Sequence, residues 1–174
     1  MKRQIRSITG LTDEVTNYTW DDDLIFASST YSNDKKIGFS FYDYNQSDQL
    51  ENVEFYKWDG AGFLRTDSIG FTFHNDGNLF AMNKYAYDFN SSKLIFVSAQ
   101  TFSEYLSSPN PVATVEILPV INLQKSLPKE YIVSNSGSSQ SYSIQYDLRA
   151  DGFPKARTVI SAGGSEKTTY TYDK

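Results

Sequence analysis

The sequence predicts an all-β domain: an antiparallel meander of hairpins forming a curved sheet or half-open barrel, with at most one short helix in the middle segment. One phrase recurs along the chain: an aromatic residue, any residue, a second aromatic, a run of Asp, Asn or Gly, then an apolar residue. Side chains two apart on a strand share a face, so each phrase lays two rings on one side of a sheet. The polar run that follows supplies the positive-φ and self-capping residues of a tight turn. Composition agrees, because 13 Tyr and 12 Phe supply large contact area, and Tyr can pack its ring while keeping its hydroxyl in water.

The copies come in order. Tyr18-Thr19-Trp20 runs into Asp21-Asp22-Asp23, and Phe39-Ser40-Phe41 is a looser copy leading through Asp43 to Leu50. Tyr56-Lys57-Trp58 precedes Asp59-Gly60, Phe71-Thr72-Phe73 precedes Asn75-Asp76-Gly77, and Tyr85-Ala86-Tyr87 precedes Asp88 and Asn90. Leu64, Leu79 and Leu94 follow at intervals of 15 residues, which leaves open one long strand or two short ones per unit. Connections this short cannot make parallel crossovers, so the strands are antiparallel.

The regularity breaks after Val97. Gln100 to Leu106 reads as one or two helical turns, ended by Ser107-Ser108-Pro109-Asn110-Pro111. Pro119 and Pro128 punctuate apolar segments at Val112 to Leu118 and Val120 to Leu123, which read as edge strands or loop. From Lys129 four more strands are expected: Glu130 to Val133, Ser141 to Tyr146, Phe153 to Ile160 and Lys167 to Tyr172. Residues 1–174 thus form a single all-β domain with hairpin repeats at 17–97, a proline-rich insertion at 98–128 and closing hairpins at 129–173.

Charge and composition exclude several functions. The net charge is -5, and no Lys/Arg cluster exceeds the pair Lys35-Lys36, so a nucleic acid partner is not expected. No window approaches the roughly 18 consecutive apolar residues of a membrane helix, and Met1-Lys2-Arg3-Gln4-Ile5 lacks the apolar stretch of a signal peptide. The chain has no Cys, which removes disulfides, thiolate metal sites and Cys nucleophiles.

Tyr142 to Pro154 and Tyr170 to Asp173 resemble the tyrosine-aspartate repeats of bacterial surface and toxin-shell proteins. Over residues 17–94 and 127–173 the chain resembles the uncharacterised, hairpin-rich exported lipoproteins of Bacteroidota. Leu127-Pro128-Lys129, a Tyr-rich strand, Asp151-Gly152-Phe153-Pro154-Lys155 and a closing Tyr-x-Tyr carry that likeness. The resemblance implies an antiparallel sheet without assigned activity, exported to the periplasm or the outer-membrane surface. It also implies that any membrane attachment is through a lipid on a cysteine upstream of Met1.

The residues of catalysis are sparse. His74, the only histidine, sits beside a predicted turn without a placed nucleophile, and reads as a solvated turn residue. Gly163-Gly164-Ser165 lacks the Lys-Ser/Thr and helix start of a phosphate cradle. Turn formation accounts for Asp22, Asp59, Asp76, Asp88 and Asp151 without any catalysis. The expectation is no enzyme and no cofactor.

Three candidate sites remain. Asp43, Asn45, Ser47 and Glu54 take oxygen-bearing positions of a calcium loop, although Asp48 stands where the sharp turn wants Gly and the flanks read as strands. By the resemblance, Asp67-Ser68-Ile69 has the form of the O-glycosylation acceptor of Bacteroidota, with Ser68 as the attachment point. Trp20 and Trp58 are each the second aromatic of a phrase and each precede Asp. Facing outward they would form a stacking platform for sugar rings; facing inward they are core, the placement favoured by a sheet that buries regular aromatic pairs. The expected function is a non-catalytic cell-envelope binding or interaction module for a glycan or protein. Its alternatives are a carrier of a lipid or other apolar ligand in a curved-sheet cavity, and a carboxylate-pair hydrolase.

Overall fold

The structure is a computed structural model; it describes residues 14–110 and 123–172 in full and the backbone of residues 2–6. The apolar segment expected from Val112 to Leu118, and most of that from Val120 to Leu123, lies outside the described residues. The described chain is all β, with no helix among its residues.

The strands are β1 Lys2–Arg6, β2 Glu14–Asp21, β3 Leu24–Ser32, β4 Lys35–Tyr44, β5 Leu50–Trp58, β6 Phe63–Phe73 and β7 Leu79–Asp88. Then come β8 Lys93–Phe102, β9 Tyr105–Pro109, β10 Ser126–Pro128, β11 Glu130–Asn135, β12 Ser139–Leu148, β13 Pro154–Ser161 and β14 Gly164–Thr169. Twelve of them form one sheet in the order β1-β2-β3-β4-β5-β6-β7-β8-β11-β12-β13-β14, while β9 and β10 pair separately. The order is the meander the sequence predicts, and among the described residues no pairing joins β14 to β1, so the sheet does not close into a barrel. Each 15-residue phrase makes one long strand: β6, β7 and β8 hold 11, 10 and 10 residues.

The helix expected at Gln100 to Leu106 is absent. Tyr131, Ile132 and Val133 of β11 pair with Phe102, Thr101 and Gln100, and Phe102 is 1% exposed, so strand pairing and ring burial override the local helical pattern. The chain resumes as β9 at Tyr105.

Two compact units divide the chain. Unit 1 comprises residues 1–70 and 84–96; unit 2 comprises 71–83 and 97–174. The buried face of unit 1 carries Tyr18, Ile25, Tyr42, Leu50, Val53 and Ile69, with Ser28 and Ser40 among them. The hydroxyl of Tyr42 donates to that of Ser28 at 3.1 Å, which satisfies a buried polar group. Burial, offset in part by that bond, pushes the Tyr42 pKa up to about 12.

Unit 2 builds its core from Phe71, Leu79, Phe102, Leu123, Leu127, Pro128, Ile144 and Pro154. Here tyrosines clamp the backbone. Tyr105 donates to the Leu79 carbonyl at 2.5 Å, Tyr146 to that of Pro128 at 2.9 Å and Tyr172 to that of Pro154 at 2.7 Å. The segment from Leu123 is stitched on in the same way: its carbonyl accepts from the Leu79 amide, and the Ser126 amide donates to the buried Asn78 side chain at 2.8 Å. His74 is not a solvated turn residue. It is half-buried, its Nε2 donates to the Phe102 carbonyl at 2.9 Å, and its ring meets Phe80 and Tyr105 edge-on.

Candidate functional site

The site begins with a question of faces. Along β4, Ser40 and Tyr42 are buried while Phe39 is half-buried and Phe41 is exposed, so the aromatic pair occupies the more open side of the sheet. Cross-strand partners share a face, and the register places Ala27 opposite Phe41 and Tyr56 opposite Phe39. Two bulges extend the row. Thr19 and Trp20 pair with Ala27 and Ile25, leaving Phe26 as the extra residue; Phe55 and Tyr56 pair with Asp67 and Arg65, leaving Thr66.

The outcome in unit 1 is a strip of six rings. Phe26 meets Phe41 at 6.3 Å, Phe41 meets Phe39 at 5.2 Å, and Phe39 stacks on Tyr56 at 4.6 Å with planes 8° apart. Phe39 also meets Phe63 edge-on at 5.1 Å, and Phe63 meets Trp58 at 5.2 Å. The Lys36 ammonium lies 4.6 Å from the Phe39 ring centre and 5.6 Å from that of Phe63, a cation–π contact with the middle of the strip. Phe26, Phe41 and Trp58 remain 56%, 41% and 48% exposed, so the strip leaves apolar ring surface open to solvent.

A fixed polar group stands among the rings. Glu54 accepts from the Tyr56 hydroxyl at 2.8 Å and pairs with the Arg65 guanidinium at 2.5 Å. The hydrogen bond to Glu54, more than burial, raises the Tyr56 pKa, so this hydroxyl stays a donor through neutral pH. The strip thus combines ring faces for C–H surfaces with an oriented carboxylate, hydroxyl and guanidinium.

The two tryptophans do not make one platform. Trp58 pairs with Phe63 and is half exposed within the strip; Trp20 is half-buried and pairs with Ile25, whose side chain is 0% exposed. Nor do the calcium candidates converge. Asn45 spends its Oδ1 on the amides of Ser47 at 2.9 Å and Gln49 at 3.1 Å, Asp48 takes the positive φ of 56°, and Glu54 is held by Tyr56 and Arg65. Among the described residues no group of three or more His, Cys, Asp or Glu side chains gathers as a metal site requires. Ser68 is 4% exposed, opposite Glu54 in the ladder, and its hydroxyl donates to Asn52 at 2.8 Å.

Phe26 and Phe63 join the strip from outside the aromatic-x-aromatic phrases, and Phe39, Phe41 and Tyr56 join it from within them. Phe39-x-Phe41 was visible as a phrase, but a period of two cannot say which face is open, and Phe26 turns outward only because of its bulge.

No protein-family model and no curated protein sequence matches the chain. The fold is similar to that of solved structures. A porin-like protein from Bacteroides vulgatus superposes with a TM-score of 0.65 at 12% identity, over 95% of this chain and 84% of that one. A porin-like protein from Bacteroides uniformis superposes at 0.60 with 15% identity, over 96% and 74% respectively. A protein of unknown function from Bacteroides fragilis superposes at 0.51 with 6% identity, over 91% and 93%. At these identities the likeness is one of fold.

Proposed function

We propose that the chain is a non-catalytic glycan-binding module of the bacterial cell envelope, and that the aromatic strip of unit 1 is its binding face. The observation that carries this reading is the exposure of Phe41 and Trp58 on the face that also holds the Glu54–Arg65–Tyr56 group. A pyranose offers an apolar C–H side and a rim of hydroxyls, which matches ring faces interleaved with fixed donors and acceptors. A purely apolar ligand would leave that ion pair without a role. The porin-like description of two fold neighbours from Bacteroides, together with the resemblance to exported Bacteroidota proteins, supports the envelope setting.

The test is a glycan array probed with the full chain and with the Phe41→Ala/Trp58→Ala double variant, alongside binding to phosphatidylethanolamine–phosphatidylglycerol vesicles. The expected result is retention on a restricted set of neutral oligosaccharides, lost in the double variant while thermal unfolding is unchanged. Vesicle binding that the same substitutions abolish, with no glycan retained, would replace this reading with an apolar-surface one.

A further inference from the structure

A cavity lies within unit 2 and shares no residue with the aromatic strip. It is a trough of about 520 Å³ on one face of β8, β11, β12, β13 and β14, a size suited to one or two sugar rings. One transverse row of side chains explains it. Phe102, Tyr131 and Tyr142 stand opposite one another on β8, β11 and β12, and Tyr131 stacks on Tyr142 at 4.6 Å with planes 7° apart. Ser143 pairs with Ile160, so Ser161 comes next in the row, and Ser161 pairs with Gly164. The row changes there from rings to almost nothing. A Cβ built on Gly164 would meet no atom within 4 Å, and beyond Tyr142 the row carries only the small Ser161 side chain, so Tyr142, Ser161 and Gly164 all line the trough.

The charges in the trough are unspent. Arg157 lines it, its Nε is buried without a hydrogen-bond partner, and among the described residues no carboxylate lies within 4.0 Å of its guanidinium. Elsewhere in this unit Lys129, Arg149 and Lys155 pair with Glu104, Asp151 and Asp147. An anion entering the trough would therefore meet a guanidinium that no carboxylate holds. Glu166 also lines the trough, on β14 opposite Val159, and so is one diagonal step from Arg157. Gln100, Ser161 and Ser165 also line it.

We propose that this trough binds an acidic sugar unit, with its carboxylate on Arg157 and its ring against Tyr142. The hydroxyls of the sugar then meet Ser161, Gln100 and Glu166. An aromatic carboxylate would satisfy Arg157 and Tyr142 but make no use of the hydroxyl, amide and carboxylate of Ser161, Gln100 and Glu166 that line the same trough, which favours the sugar. Because Glu166 competes with the ligand for Arg157, its charge opposes binding.

The test uses the full chain in isothermal titration with digalacturonate, its neutral counterpart galactobiose, and benzoate. Digalacturonate should bind with an affinity that falls as salt rises, galactobiose and benzoate about tenfold or more weaker. Arg157→Gln should reduce digalacturonate binding by about tenfold or more, Ser161→Tyr should block it by filling the gap beside Tyr142, and Glu166→Gln should preserve or tighten it. Arg157→Lys, which keeps the charge, controls for folding and should retain part of the affinity. The Phe41→Ala/Trp58→Ala double variant should bind digalacturonate as the parent does, which separates this trough from the strip of unit 1. Equal binding of galactobiose or benzoate, no binding of digalacturonate, or indifference to Arg157→Gln in a folded variant would overturn the proposal.

Discussion

The two units use their aromatic residues to opposite ends. In unit 2, Tyr105, Tyr146 and Tyr172 reach backbone carbonyls at Leu79, Pro128 and Pro154, so the rings pack and their hydroxyls are spent on the fold. In unit 1, Tyr42 is spent in this way on Ser28, but Tyr56 donates to Glu54 on a face where Phe26, Phe41 and Trp58 stay exposed. The aromatic pattern therefore marks the strands, while neighbouring chain decides which rings are buried. Unit 2 has the segment from Leu123 to Lys129 lying against its strands and offering carbonyls, among them those of Leu123 and Lys129, which accept from Leu79 and Ile144.

The largest effect that would sharpen this contrast is in the core of unit 2. Leu79 is 0% exposed, so Leu79→Ala should cost about 2–5 kcal/mol in urea denaturation. Phe41→Ala on the open strip should cost less than about 1 kcal/mol in the same experiment. Similar losses for the two substitutions would break the comparison.

Next comes the backbone beneath the strip. A Cβ at Gly38 would lie 2.9 Å from the Tyr56 carbonyl oxygen, whereas one at Gly62 would meet nothing within 4 Å. Gly38→Ala should therefore destabilise by about 1–3 kcal/mol, and Gly62→Ala by no more than about 0.5 kcal/mol. Chemical denaturation of the two variants side by side checks the difference.

Alkaline pH should then act on both units through their buried tyrosines. Burial raises the pKa of Tyr42 to about 12 and those of Tyr105 and Tyr146 well above their ordinary value. The folded state holds these protons more tightly than the unfolded chain, so the stabilisation is complete below the ordinary tyrosine value of 10.0 and is lost as pH rises towards the folded values. Tyr146→Phe should flatten that alkaline loss relative to the parent, read from unfolding midpoints between about pH 9 and 12.

The smallest effect is at the β4–β5 turn. Asn45→Ala removes an acceptor for two backbone amides and should cost about 1 kcal/mol. An equal cost with and without added calcium fits the turn role; a larger cost with calcium would restore Asn45 as a ligand.

Much of the fold was legible because turns announce themselves. Asp59 accepts from the amides of Ala61 and Gly62, Asp88 from those of Asn90 and Ser91, and Asn135 from those of Gly137 and Ser138, as Asx turns require. Backbone hydrogen bonds from Ala61 and Gly62 accordingly hold the Asp59 carboxyl below its usual pKa. Gln100 to Leu106 was not legible, since its pairing partner lies some thirty residues on in β11. The open face was hidden for a different reason. Strand β4 alternates Phe39 and Phe41 with Ser40 and Tyr42, so both faces carry aromatic residues, and the pattern cannot say that the serine-bearing face is the buried one. The trough depends on a row crossing five strands, which no local pattern encodes.

The central claim is that the face bearing Trp58 is open and is the face that binds. With two tryptophans in the chain, Trp20→Phe leaves Trp58 as the sole indole reporter. Acrylamide quenching of its fluorescence, before and after adding an oligosaccharide selected on the array, tests the claim most directly. The account predicts red-shifted, strongly quenched emission from Trp58 that the bound glycan shields. Blue-shifted emission that resists acrylamide from the start, or quenching unaltered at saturating glycan, would contradict it.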